Sequence, residues 1–366
     1  MKRIGSATSR TATAAGLALA LGLLAACSGG GSGEGDGEEG GGSGGKDVTL
    51  VTHDSFLASD EVLAQFTEET GYEVHVVRGG DAGVMVNQAI LSQGHPQGDV
   101  LFGVDNTLLS RALDADLFEP YEAAGLDAIP AEVQLDAEQH RVTPVDTGDI
   151  CVNYDRAYFA DHHLDPPASL DDLTDPAYAD LLVVENAATS SPGLGFLLAT
   201  VSAFGEDGWQ DYWQRLADNG VEVVDSWETA YDERFSGAGH GDRPLVVSYA
   251  SSPPAGVYYA GDDLPDQAPT GVSAGTCFRQ VEFAGLLTGA GNPEGGRALI
   301  DFLLSRAFQE DMPLQMFVDP VLPEAQLPEV YTRYGETIED PYRLDPGDIA
   351  EHREEWIDDW TSLVVR

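Results

Sequence analysis

Apolar runs of strand length and apolar stripes of helical period alternate along residues 48–104. Residues 48–52 (VTLVT) are β-branched and apolar, which predicts a first strand. Val62, Leu63 and Phe66 follow at helical spacing, with Ser59 placed to cap that helix and Gly71 to end it. Residues 73–77 predict a second strand, and a helix carrying Val84, Gln88, Ile90 and Leu91 stops near Gly94. Residues 99–104 (DVLFGV) are apolar almost throughout, as in a parallel strand covered on both faces. Strand, helix, strand, helix, strand is the order of a doubly wound α/β unit.

Residues 150–154 predict a further strand, with residues 281–285 as its counterpart. The roughly 120 residues between them have their own pattern, in keeping with a separate compact unit. Strands are expected at 181–184, 221–224 and 245–248, and helices at 194–204 and 209–216. The simplest account is two α/β lobes, each a sheet flanked by helices, with a ligand cleft between them. Lobe 1 would comprise residues 46–150 and 281–366, and lobe 2 residues 151–280. Trp356, Ile357 and Trp360 at helical spacing predict a terminal helix within 341–366, packed on a lobe.

Open α/β sheets hold ligands at the carboxyl ends of their strands. Those ends carry 52–55 (THDS), 79–82 (GGDA) and 103–106 (GVDN), turns of small and polar residues just before helices. Each Asp or Ser there could simply be an N-cap; three converging turns point to a ligand at the mouth of the sheet. Residues 189–195 (TSSPGLG) place hydroxyls and glycines ahead of an apolar helix. They are either a capped turn or a seat for a phosphate or carboxylate on the helix dipole. Trp227 and Tyr231 lie four apart, on one face if helical, and residues 248–253 (SYASSP) follow a buried strand.

Charge narrows the partners. Eighteen basic against 63 acidic residues give a net charge of −45, and Lys2 and Lys46 are the only lysines. Nucleic acid and anionic headgroups both require a basic face, so neither is expected as a partner. The acids are scattered through the predicted helices and loops, which fits a carboxylate surface suited to high salt better than a single cation site. The first 26 residues join Lys2, Arg3 and Arg10 to an apolar stretch too short for a membrane span, and end in Leu-Ala-Ala before Cys27. They are expected to be an export signal whose Cys27 receives lipid. Residues 27–45, nearly all Gly, Ser, Glu and Asp after Cys27, form a flexible leash. An extracytoplasmic, membrane-anchored protein follows. In that compartment Cys151 and Cys277 read as a disulfide, or else as two buried thiols.

The motifs at 52–56 (THDSF), 103–109 (GVDNTLL), 189–195 (TSSPGLG), 227–231 (WETAY) and 248–253 (SYASSP) occur in order. Together they resemble the thiamine-binding solute receptors of bacterial ABC importers, over nearly all of 47–366. The resemblance implies the two-lobe periplasmic-binding-protein type II fold, a monomer, and no cofactor, metal or catalytic residue. It implies ABC permease subunits as partners and thiamine or a thiamine phosphate as ligand. Carried over residue by residue, it implies contacts from Asp81, Ala82, Ser190, Ser191, Trp227, Tyr249, Ala250, Ser251 and Ser252; Tyr231, on the face of Trp227 if helical, is a further candidate contact. Trp227 and Tyr249 would stack on the rings and attract the cation, Asp81 would supply countercharge, and Ser190 and Ser191 the hydroxyl or phosphate seat. Two positions depart from the pattern: His53 stands where that family carries Tyr, and Phe317 stands near an expected Trp. A ferric-ion receptor of the same superfamily, using Tyr258 and Tyr259, is the second reading. A secreted hydrolase is the third; neither Ser190 nor Ser251 lies in a nucleophile elbow.

Overall fold

The computed structural model describes residues 46–238, 241–261 and 264–365. The expected export signal, Cys27 and the leash lie outside them. No described helix is long and apolar enough to cross a membrane.

The chain opens with parallel strands β1 (Asp47–Thr52), β2 (Glu73–Arg78) and β3 (Val100–Asp105). They are joined through helices α1 (Asp60–Thr70) and α2 (Ala82–Leu91). The local signals act as expected. Ser59 Oγ accepts the Val62 amide at 3.2 Å, and Gly71 closes α1 with φ of 78°, a conformation that favours glycine. β3 is buried at every position, as its apolar run predicts.

Next come α3 (Leu109–Asp114), β4 (Phe118–Glu119), β5 (Thr143–Asp155), α4 (Arg156–His162) and β6 (Leu182–Glu185). Helices α5 (Ser191–Phe204) and α6 (Trp209–Asp218) precede β7 (Glu222–Val224), a π-helical turn at Thr229–Arg234 and β8 (Leu245–Tyr249). Then follow α7 (Ser252–Ala260), β9 (Thr270–Leu287), α8 (Pro293–Leu303) and α9 (Arg306–Gln315). The chain ends through β10 (Asp319–Pro320), α10 (Glu329–Tyr334) and α11 (Pro346–Val364).

The strands run β2-β1-β3-β9-β5-β8-β6-β7, with β4 and β10 attached at the side. The two halves therefore share one curled sheet. Its continuity comes from β5 and β9, which are 13 and 18 residues long and pair antiparallel. Both are much longer than the strands read from the sequence at 150–154 and 281–285. Register shifts between Pro144 and Asp146 and between Ile150 and Val152 bend this central pair. Beside the second shift the sulfurs of Cys151 and Cys277 lie 2.08 Å apart, buried against Ala250, Val272 and Ile338.

Two apolar cores flank the sheet. One fills the space between β1, β3 and helices α1, α8 and α9, around Phe66, Phe102, Phe302 and Phe308. The other is centred on α5, α6 and α11, where Trp213 meets Trp360 edge-on at 5.4 Å and Phe196 at 5.6 Å. Trp213 Nε1 donates to Thr200 Oγ1 at 2.9 Å. Helix α11 packs on both α6 and α3, and Arg353 donates to Ser110 Oγ at 3.1 Å. The terminal helix thus straps the two halves together rather than resting on one.

Trp360 is fully buried, so Trp360→Ala should cost about 3–5 kcal/mol in urea unfolding. A loss below about 1 kcal/mol would mean that α11 is not an integral part of the fold.

Candidate functional site

The curl of the sheet gathers the carboxyl ends of β1, β2, β6, β7 and β8 around a cavity of about 680 Å³. The middle of β9 and residues 315–318 complete its wall. Of the residues singled out from the sequence, His53, Asp81, Ala82, Ser191, Trp227, Tyr231, Tyr249, Ser252 and Phe317 line this cavity. Ser190, Ala250 and Ser251 are not part of its lining. Ser190 is the N-cap of α5, buried, with no hydrogen-bond partner for Oγ. Ala250 packs into the Cys151–Cys277 cluster and its amide donates to Asp149 O at 2.9 Å. Ser251 Oγ donates to the Phe317 carbonyl, which makes it a support of the wall.

Asp81 occupies the centre of the site. As N-cap of α2 its Oδ1 accepts the Ala82 amide at 2.7 Å, and its Oδ2 accepts the Trp227 amide at 3.1 Å. β2 and β7 are opposite edges of the sheet, so this one carboxyl joins loops from its two ends. Two further contacts tie neighbouring loops across the same mouth. Ser55 Oγ donates to Glu228 Oε1, and a Cβ on Gly83 would meet Thr189 O at 2.6 Å, a closeness only glycine permits. Burial pushes the Asp81 pKa up to about 6 against the pull of the Trp227 amide.

Trp227 stacks on Tyr231 with ring centres 5.0 Å apart and planes 12° apart. The π-helical turn sets this pairing, Tyr231 packs on Phe235, and Trp227 Nε1 donates to Ser248 Oγ at 2.9 Å. The result is a rigid aromatic wall. On another side Phe317 is held in the left-handed region with φ of 55°, a strained conformation for a bulky residue. The Tyr259 ring lies 5.7 Å from it.

His53 packs on Phe102 at 5.9 Å, and Gly103, with φ of 101°, leaves the space its ring occupies. A Cβ on Gly103 would meet His53 Cδ2 at 2.3 Å. Burial lowers the His53 pKa to about 4, so the ring is neutral near pH 7, and Nε2 has no hydrogen-bond partner.

Sequence reasoning missed Glu282 and Asp232 and assigned no separate role to Asp54 and Glu228 within their motifs; all four line the cavity. Glu282 lies opposite Asp105 on β3 and Asp146 on β5. Burial, then Asp146 and Asp105, holds its pKa well above the usual carboxylate range. Burial pushes Asp146 up to about 7. Glu185, at the end of β6, is likewise raised by burial, and both its oxygens lack partners. The available signal was a single acid inside an apolar strand, as in 281–284 (VEFA) and 182–185 (LVVE). Among the described residues no Lys or Arg lines the cavity. The guanidinium of Arg78 instead donates to the carbonyls of Asp54 and Phe56. An aromatic wall, several carboxyls and no opposing cation suit a flat, positively charged solute. Among the described residues no group of three or more His, Cys, Asp or Glu is arranged to hold a metal ion.

Residues 96–255 match the family of bacterial extracellular solute-binding proteins. The thiamine-binding periplasmic protein of Escherichia coli (strain K12) is 28% identical over 326 residues, covering 87% of this chain and 94% of that protein. That of Brucella suis biovar 1 is 26% identical over 325 residues, covering 87% and 92%. A solved periplasmic thiamin binding protein superposes with a TM-score of 0.75 at 26% identity, over 87% of this chain and 96% of that one. Iron-bound HitA from Pseudomonas aeruginosa shares the fold, with a TM-score of 0.67 at 19% identity, over 86% and 99%. The fold is that of the two-lobe periplasmic binding proteins.

The buried acids set the response to pH. A carboxyl whose pKa is higher folded than unfolded gives stability that is present at low pH and lost as pH rises through the folded value. Asp81, Asp146, Asp149, Glu185, Glu282 and Asp319 are all raised. His53, lowered from 6.5 to about 4, acts the other way and weakens the fold as pH falls through that window. Asp81 at about 6, Asp146 at about 7, and Glu185 and Glu282 raised well above the usual range outweigh the single histidine in this window, so the free protein should become more stable to urea as pH falls from about 7.5 to about 5.5. Asp146→Asn should flatten that slope near pH 7, where its pKa lies. A wild-type stability that is flat or falls over this window would contradict the assignment.

Proposed function

We propose that this protein is the extracytoplasmic solute receptor of an ABC importer and that its cargo is thiamine. The observation that carries the reading is the Trp227–Tyr231 wall beside Asp81, in a cavity lined by carboxyls and by no Lys or Arg among the described residues. Thiamine joins a flat aminopyrimidine to a permanently cationic thiazolium. A cation over an indole face gains roughly 0.5–2 kcal/mol, and a nearby carboxylate adds the stronger charge-assisted class of contact. The proteins named thiamine-binding at 26–28% identity cover nearly the whole folded region, which supports this cargo.

Iron fits less well. Tyr259 lines the cavity but Tyr258 does not, and a hard trivalent ion has no use for a stacked indole. The chemistry described is recognition, and no covalent step is assigned to the protein.

In this reading residues 46–150 with 281–366 form one lobe and 151–280 the other. Closure brings the Asp81, Ser55 and Gly83 contacts together over the ligand, and β5 and β9 absorb the motion. Cys151 and Cys277 form a disulfide that staples those strands, consistent with an oxidising compartment. Lipid on Cys27 and the leash at 27–45 hold the receptor beside its permease.

Calorimetry on the mature chain with thiamine, its mono- and diphosphates and ferric citrate tests the proposal. Thiamine should bind, and Trp227→Ala should weaken it by about ten- to a hundredfold, the scale of stacking plus cation–π attraction. No heat with any thiamine form, or a ferric charge-transfer band in its place, would overturn it.

A further inference from the structure

Resting on thiamine as cargo, we propose that Asp105 and Gln280 are positioning residues of the binding site: buried beside the cavity, they hold Ser191 and Tyr249, which line it. Residues 103–106 form one of the three turns that the sequence directs at a ligand, yet none of the four lines the cavity. The turn serves the site from behind.

β3 ends at Asp105, whose side chain is fully buried. Its two oxygens have separate duties. Oδ1 accepts from the turn itself: Thr107 Oγ1 at 2.6 Å, Thr107 N at 3.0 Å and Leu108 N at 3.3 Å. Oδ2 accepts from Gln280 Nε2 at 2.9 Å and from Ser191 Oγ. An ionised carboxylate only accepts, so it matches this set of donors, and such charge-assisted bonds are the stronger class. Gln280 Nε2 donates to Ser191 Oγ as well, at 3.0 Å, which closes a triangle of side chains. Gln280 also shares a side-chain hydrogen bond with Tyr249.

The backbone fixes where Gln280 stands. Beyond the end of β3, Asn106 continues the pairing with β9. Its amide donates to Val281 O at 3.0 Å, its Oδ1 accepts the Val281 amide at 2.9 Å, and its Nδ2 donates to Arg279 O at 3.2 Å. Those bonds grip β9 on either side of Gln280. The triangle therefore joins β3 and β9 to the start of α5 and the end of β8. Ser191 is the first residue of α5, and both it and Pro192 line the cavity. Holding the Ser191 hydroxyl sets where that helix begins against the ligand. Groups fixed before binding need not be ordered during it, which is how preorganisation adds affinity.

Asp105→Asn separates this role from a structural one. The donors on Oδ1 hold the Asn carbonyl oxygen on their side, so its NH2 group faces Gln280 and Ser191. The turn keeps its bonds, and only those towards the site are opposed, donor against donor. By calorimetry on the full folded chain, Asp105→Asn should bind thiamine about tenfold more weakly than wild type. Ser191→Ala should bind it about three- to tenfold more weakly, and the pair should lose less than the product of the two, since one acts through the other. A purely structural role would lower the urea midpoint of Asp105→Asn and leave its Kd within about twofold of wild type. That result overturns the proposal, and so do losses that multiply in the pair. If Asp105→Asn does not fold, Gln280→Met, which keeps side-chain length and removes the hydrogen bonds, takes its place with the same expected results. Thiamine that fails to bind wild type at all removes the cargo reading instead, so the two failures are distinguishable.

Discussion

One carboxyl holds the shape of this site. Asp81 accepts an amide proton from the start of α2 and another from Trp227, although the strands leading to those loops are opposite edges of the sheet. A negative charge at a helix N-terminus is favoured by the helix dipole, and burial opposes it. In Asp81 burial outweighs the stabilising contacts and raises its pKa to about 6. The cavity walls depend on that balance. Trp227 is fixed by the same contact, its ring is fixed in turn by Tyr231 and Ser248, and Glu228 is held by Ser55. In the proposed reading a cationic ligand would supply the charge that Asp81 lacks, and binding and closure would strengthen each other.

Much of this arrangement was legible in the chain. The alternation over residues 48–104 reproduces β1 to β3 and their helices closely, because parallel strands buried on both faces carry unbroken apolar runs. The cap at Ser59, the stop at Gly71 and the aromatic terminal helix appear as read. The lengths of β5 and β9 were not legible. Asp146, Thr147, Gly148 and Asp149 interrupt the apolar pattern of β5, and Gln280 and Glu282 do the same for β9. Those polar residues are strand residues because the sheet at this point faces a cavity and a hydrogen-bonded interior, not an apolar core. Periodicity fails where the strand serves the site.

The same cause divides the candidate residues. Loops at strand ends advertise themselves through small and polar residues, so Asp81, Trp227 and Tyr249 could be found. Acids buried inside strands do not, and Glu282 and Glu185 were passed over. Ser251 and Ala250 lie in a loop read as ligand-facing, yet one holds the Phe317 carbonyl and the other packs beside the two cysteines. A loop motif fixes the neighbourhood of a site; the register of the sheet and the packing behind it decide which atoms reach the ligand.

The central claim is that an ionised Asp81 holds both the aromatic wall and the charge of the ligand. The direct measurement is the Kd for thiamine between pH 5 and pH 8, in wild type and Asp81→Asn. Affinity should be level above about pH 7 and fall towards tenfold per pH unit below about pH 6 as the carboxyl takes up its proton. The Asn variant should bind more weakly and with little dependence on pH across that range. A wild-type affinity that does not change down to pH 5, or that rises there, would contradict the account.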